Sequence, residues 1–134
     1  NLAKLSESAI KQQKTQTDSA VSAITGKNTT LVRPPYGSKN QTVANAFNLP
    51  VILWSVDTLD WKTRSTQSTV DSVMRHAKDG DIVLMHDIYE SSANAAVELI
   101  PKLIDEGYQL VTVSEMAQSR GGLKNAQIYN SIRK

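Results

Sequence analysis

The 134-residue chain has no cysteine. That excludes disulfides, thiol nucleophiles and cysteine-based zinc sites, and it fits the cytosol and an exported bacterial protein equally well. Aromatic residues make up 5% of the sequence, and the lysines and arginines are interspersed with acids to a net charge of +2 rather than gathered in a block. Nucleic-acid binding, which asks for a basic stripe interleaved with aromatics, has no footing here. No apolar run approaches the roughly 20 residues that cross a bilayer, and no basic-then-apolar leader is present, so no membrane contact is expected from these residues. Histidine is scarce, with only His76 and His86. An initiator methionine is missing as well: the opening Asn1-Leu2-Ala3-Lys4-Leu5 reads as the middle of something, a piece cut from a longer chain.

What is present is enough for one domain with a single core, with a hydrophobic fraction of 40%. The chain is organised around Asp79-Gly80-Asp81-Ile82-Val83-Leu84-Met85-His86-Asp87. A glycine turn leads into four consecutive apolar residues, the mark of a strand buried on both faces, and the run ends in two residues that carry protons. Alternation puts Ile82, Leu84 and His86 on one face and Val83, Met85 and Asp87 on the other. His86 and Asp87 therefore do not share a metal, and Leu84 is the apolar neighbour of His86.

Before that stretch, Ser6 is placed to cap a helix whose face carries Ile10, Gln13, Thr17, Val21 and Ile24 and which stops at Gly26. A strand Thr29–Arg33 runs into the rigid elbow Pro34-Pro35-Tyr36-Gly37. A brief helix over 41–47 precedes a second two-sided strand, Val51–Val56, which ends in Asp57-Thr58-Leu59-Asp60-Trp61. Val70, Val73, Met74 and Ala77 mark the next helix, closing at Gly80. After His86, a helix carrying Ala96, Leu99, Ile100, Leu103 and Ile104 is bent at Pro101 and stops at Gly107. A last strand Gln109–Val113, a short helix from Ser114 and a solvated polar tail over 117–134 complete the chain.

Helix and strand alternate, which predicts an α/β fold of about four parallel strands with crossover helices. Four strands cannot close a barrel of about eight, so the chain is either an open sheet or the C-terminal portion of a distorted (β/α) barrel. Three strands end in chemistry-bearing residues: Arg33 to Tyr36, Asp57 to Trp61, and His86 with Asp87. In parallel α/β folds sites form at those ends. Taken singly these residues prove little. A strand-end histidine is commonly structural, Asp60 could cap a turn, Trp61 could be core, and Arg33 could pair with a surface acid. His76, beside a helical stripe, reads as structural. A glycoside hydrolase needs two carboxylates flanking a scissile bond, and Asp57 and Asp60 belong to one strand end.

Together, Arg33-Pro34-Pro35-Tyr36-Gly37, Asp57-Thr58-Leu59-Asp60-Trp61-Lys62 and Ile82-Val83-Leu84-Met85-His86-Asp87 resemble the motifs of the polysaccharide deacetylases, carbohydrate esterase family four. The resemblance covers Leu2 to Met116 and leans toward the peptidoglycan N-acetylglucosamine deacetylases of Gram-positive bacteria. It implies a metal-dependent enzyme, with zinc as the divalent metal, that removes acetyl from N-acetylglucosamine units of an N-acetylated glycan. It also implies an extracytoplasmic or cell-surface location. By the same resemblance, His86 is the general acid and Asp60 its partner. Arg33 orients the catalytic-base aspartate, and the backbone N–H of Tyr36 stabilises the oxyanion. Trp61 and Leu84 wall the pocket for the acetyl methyl. The chemistry is coherent, since amide cleavage needs a donor for the oxyanion and an acid for the leaving amine, and a carboxylate beside an imidazole favours its donating form.

The family's Asp-Asp and His-x-x-x-His motifs do not occur here. The base and the metal ligands are therefore expected in a missing N-terminal segment of the same domain, which makes residues 1–134 the C-terminal, acid-carrying part, with the barrel portion over about 1–116. The competing expectation is a non-catalytic glycan-binding remnant in which Trp61 and Tyr36 stack on sugars without a metal.

Overall fold

The computed structural model describes residues 1–133 in two compact units, Asn1–Leu53 with Leu123–Tyr129, and Trp54–Gly122 with the residues from Asn130 onward. The described strands are short and parallel: β1 (Val51–Ile52), β2 (Val56–Asp57), β3 (Val83–Leu84) and β4 (Ile128–Tyr129). β1 pairs with β4 in the first unit, and β2 with β3 in the second.

In the first unit α1 (Glu7–Thr25) begins where the Ser6 side chain accepts from the N–H of Ala9 and ends at Gly26, whose φ of 70° is the left-handed closure expected of a glycine there. Its face is polar enough that Ile10 alone is fully buried. Polar ties do the rest: Lys14 pairs with Asp18 at 2.6 Å, and the Thr29 hydroxyl donates to the same carboxylate. α2 (Gln41–Phe47) is capped by Asn40, which accepts from Val43 N–H at 2.8 Å, and buries Val43, Ala44, Ala46 and Phe47. Val43, Ala46 and Phe47 pack with Leu2 and Ile10, and Val32 and Leu49 lie against them. The expected strand Thr29–Arg33 is reduced to a single parallel bridge, Val32 to Val51. β1 thus has Val32 on one side and β4 on the other, with Val51 N–H given to Gln127 O and Leu53 N–H to Tyr129 O, both at 2.8 Å.

In the second unit β2 leads through α3 (Asp60–Thr63) and α4 (Thr66–His76) to β3, a βαβ crossover with Val56 opposite Val83 and Asp57 opposite Leu84. α5 (Glu90–Asp105) follows and packs on α4 through Val70, Val73, Ala95 and Leu99, with Leu103 and Met74 at the margin. α6 (Val113–Gln118) opens on a complete capping box between Thr112 and Glu115.

The expected strand Val51–Val56 is divided, because Ser55 N–H and Val56 N–H both donate to Ile82 O, and two donors on one acceptor put a bulge-like kink in the chain. Gln109–Val113 is not a strand: no ladder partner occurs among the described residues, and Leu110 and Val111 stay exposed. The stretch over 117–134, read as a solvated tail, contributes β4, and its Ile132 is buried. The buried stripe of α5 is narrower than the apolar periodicity predicts. Ile100 and Ile104 are exposed, while Ser92 joins Ala95 and Leu99 on the buried face.

Candidate functional site

Asp60 is the first residue of α3, and the chain reaches it through Leu59 at φ 53°, a left-handed conformation that costs a branched residue free energy. That turn drives the Asp60 side chain inward, leaving it 1% exposed. Thr58 braces the approach: its buried hydroxyl donates to Leu84 O at 2.8 Å, which ties the end of β2 to β3. Two residues beyond Leu84, His86 turns back to Asp60 twice. Its ring Nδ1 lies 2.8 Å from Oδ1, and its backbone N–H donates to Oδ2 at 2.6 Å. From the first turn of α5, Ser92 donates its hydroxyl to Oδ2 at 2.7 Å.

Burial pushes the Asp60 carboxyl upward, but the hydrogen bonds from the Ser92 hydroxyl, the His86 ring and the His86 and Trp61 backbone outweigh it and hold the group below its ordinary value. Asp60 is therefore an anion that only accepts, so Nδ1 of His86 carries the hydrogen between them. The other ring nitrogen, Nε2, is left to exchange a proton with a ligand, and the side chain is 37% exposed. A buried carboxylate that fixes the tautomer of a partly accessible imidazole is the arrangement that acid–base catalysis requires.

The structure brings His86 and Asp60 together, as the motifs imply. Trp61, beside Asp60, is 46% exposed, and Leu84 is buried on β3. Asp57, the other acid of that strand end, is taken up by its own turn: it accepts from Trp54 Nε1 at 3.3 Å and from Leu59 N–H at 3.0 Å. Arg33 and Tyr36 belong to the first unit. The Arg33 guanidinium donates to Ile52 O and Leu53 O, both at 3.3 Å, and forms no ion pair among the described residues. Partial burial draws it below its ordinary value. Tyr36 sits at φ 60° inside the turn Pro35–Gly37, with its ring 88% exposed and its N–H given to no acceptor among the described residues. His76 makes only a local contact, Nδ1 to Ser72 O at 2.8 Å.

No group of three or more His, Cys, Asp or Glu side chains among the described residues could hold a metal ion. The residues present do not by themselves fit a metal centre.

The family model for polysaccharide deacetylase matches residues 1–50. The peptidoglycan-N-acetylmuramic acid deacetylase PdaC of Bacillus subtilis is 46% identical over 117 residues, 87% of this chain and 25% of that protein. The peptidoglycan-N-acetylglucosamine deacetylase PgdA of Listeria monocytogenes is 43% identical over 115 residues, 86% of this chain and 25% of that one. A solved "T48 deacetylase with substrate" superposes with a TM-score of 0.89 at 40% identity, over 96% of this chain and 64% of that one. The chain belongs to the polysaccharide deacetylase family. As a polysaccharide deacetylase chain it spans about a quarter of the length of these curated relatives.

Its fold is the α/β one expected, part of a (β/α) barrel. The family 4 acetyl xylan esterase of Clostridium thermocellum, solved with a cobalt ion, shares it with a TM-score of 0.91 at 23% identity, over 100% of this chain and 68% of that one. Within this polysaccharide deacetylase unit, the residues that the motifs did not single out are Ser92 and Thr58. Ser92 carried a signal all the same: with Ala95, Leu99 and Leu103 it lies at helical spacing on a buried stripe, and a hydroxyl there needs an acceptor. Thr58 carried none beyond lying between Asp57 and Asp60.

Proposed function

We propose that this chain supplies the acid half of a glycan N-deacetylase, with His86 as the general acid that protonates the departing amine when the acetamide of an N-acetylated sugar is hydrolysed. The observation that supports it is the buried Asp60 anion on Nδ1 of His86, which leaves Nε2 as the proton-exchanging atom. Asp60 keeps the ring in that tautomer. Trp61 and Leu84 flank these two residues in sequence and are assigned to the acetyl pocket, an exposed indole for a sugar face and a buried aliphatic for a methyl.

Arg33 is assigned to orienting the base aspartate; the support is a guanidinium anchored on two carbonyls that has no acid partner among the described residues. Tyr36 is assigned to the oxyanion through an N–H that the left-handed turn leaves without an internal acceptor. The base and a divalent metal, zinc by the motif resemblance, would be held by residues other than those described. Similarity to two peptidoglycan deacetylases supports peptidoglycan as the polymer, and we propose an extracytoplasmic site of action to match that polymer.

The test is acetate release by the whole protein from peptidoglycan and from chitooligosaccharides, with and without a chelator. Release that the chelator stops supports the assignment; no release from either glycan overturns it. The exposed rings of Trp61 and Tyr36 favour a second reading, a glycan-binding remnant without catalysis. That reading predicts glycan binding that is indifferent to chelator and unaccompanied by acetate.

A further inference from the structure

We propose that Ser92 is a positioning residue for the acid: its hydroxyl, donated from α5 to Oδ2 of Asp60, fixes the plane of the carboxylate on which the His86 ring is aligned. This role rests on the assignment of His86 as the acid. Rotation of an aspartate carboxyl about its last bond is soft, so the angle it presents to an imidazole is set by its other partners. Asp60 Oδ1 takes the ring nitrogen, and Oδ2 takes two donors, His86 N–H at 2.6 Å and Ser92 Oγ at 2.7 Å. The first two come from His86 itself and tie acid and partner to each other. The Trp61 N–H that also holds the carboxylate belongs to the same α3 as Asp60, so among the described residues Ser92 alone ties it to a helix other than its own. That element is rigid, because α5 packs through Ala95 and Leu99 into the core it shares with α4.

Local preference does not explain the residue. Alanine is the better helix former, it suits a buried stripe, and it occupies the next turn at Ala95. A serine 2% exposed in that row has to hand its hydrogen to an acceptor, and the one it finds is Oδ2 of Asp60, which it shares with the His86 N–H. No proton leaves Ser92 in the reaction. Its work is angular: with the carboxylate plane held, the direction in which the Nδ1 hydrogen meets Oδ1 is fixed, and with it the direction in which Nε2 faces.

The experiment uses the whole protein with an N-acetylglucosamine oligomer and compares Ser92→Ala, Ser92→Thr and His86→Ala. The expected result for Ser92→Ala is a kcat about 10- to 100-fold lower with KM within about twofold, the signature of a misaligned but present acid. Ser92→Thr, which keeps the hydroxyl, returns kcat to within about threefold of the parent. Nitrogen NMR of the His86 ring reads the same effect without turnover: the parent shows hydrogen on Nδ1 in the neutral ring, and Ser92→Ala shows a mixture of tautomers. Ser92→Cys, with a weak donor of similar size, carries both comparisons if the alanine variant does not fold. Parental kcat and an unmixed tautomer in Ser92→Ala, alongside an inactive His86→Ala, overturn the Ser92 role alone. Full activity in His86→Ala overturns the acid assignment instead.

Discussion

Asp60 does at one position what most carboxylates avoid: it is buried, charged and fully engaged. Its depressed pKa makes it a source of stability with a defined sign. The contribution is complete above the unfolded carboxylate value of about 3.9 and is lost as pH falls through the lower folded value. Asp60→Asn removes that titration. The variant is expected to be less stable than the parent at pH 7 by roughly 1–3 kcal/mol, because an amide cannot serve the same donors. It is also expected to lose less on acidification to about pH 3, where the parent surrenders the Asp60 term. Urea unfolding of both proteins at the two pH values measures this; equal acid sensitivity in the two would contradict it. Asp18, Asp81 and Glu115 are depressed as well and titrate in both proteins, so the difference between the curves reports Asp60 together with the His86 ring it pairs with.

At this scale the motifs named two residues, His86 and Asp60, that the structure holds 2.8 Å apart, because the spacing of chemistry-bearing residues at strand ends survives in the sequence. For Ser92 the sequence signals only a buried hydroxyl on a helical stripe; its acceptor lies 32 residues back in the chain, and no local pattern names it.

At the scale of elements, the crossover from β2 to β3 depends on the α4–α5 core and on the turn before β3. Leu99→Ala empties a site 3% exposed and is expected to cost roughly 2–5 kcal/mol in chemical unfolding. Gly80 stands at φ 88°, and a Cβ there would lie 2.5 Å from Nη1 of Arg120 and 2.6 Å from Ile132 O. Gly80→Ala is therefore expected to lose more than about 1 kcal/mol, and a variant as stable as the parent would contradict the close approach. The ends of α1 were legible because Ser6 and Gly26 act on their immediate neighbours. Strands were not, because pairing is a property of two distant segments. Ile128 and Tyr129 sit in a polar context yet are recruited by β1, whereas Leu110 and Val111 look like a strand and have no ladder partner among the described residues.

For the molecule as a whole, the last residues matter to both units. Residues 123–129 give the first unit its β4, and in the second unit Arg133 reaches Asp81 at 2.6 Å while Ile132 N–H donates to Gly80 O at 2.7 Å. Removal of residues 123–134 is expected to lower the unfolding midpoint and to speed hydrogen exchange at Val51 and Leu53, whose N–H groups lose their acceptors. Unchanged exchange at those two amides would contradict the β1–β4 pairing. The order of the motifs along the chain was enough to read the fold class and family. The division into two units was not visible, since no linker composition marks it.

The proposed deacetylation turns on the imidazole of His86 as an acid. The direct measurement is kcat for acetate release from an N-acetylglucosamine oligomer by the whole protein and by its His86→Ala variant, with circular dichroism confirming that both are folded. The expected result is a loss of roughly 10²- to 10⁴-fold in the variant at unchanged fold. A folded variant that releases acetate at the parental rate would contradict it.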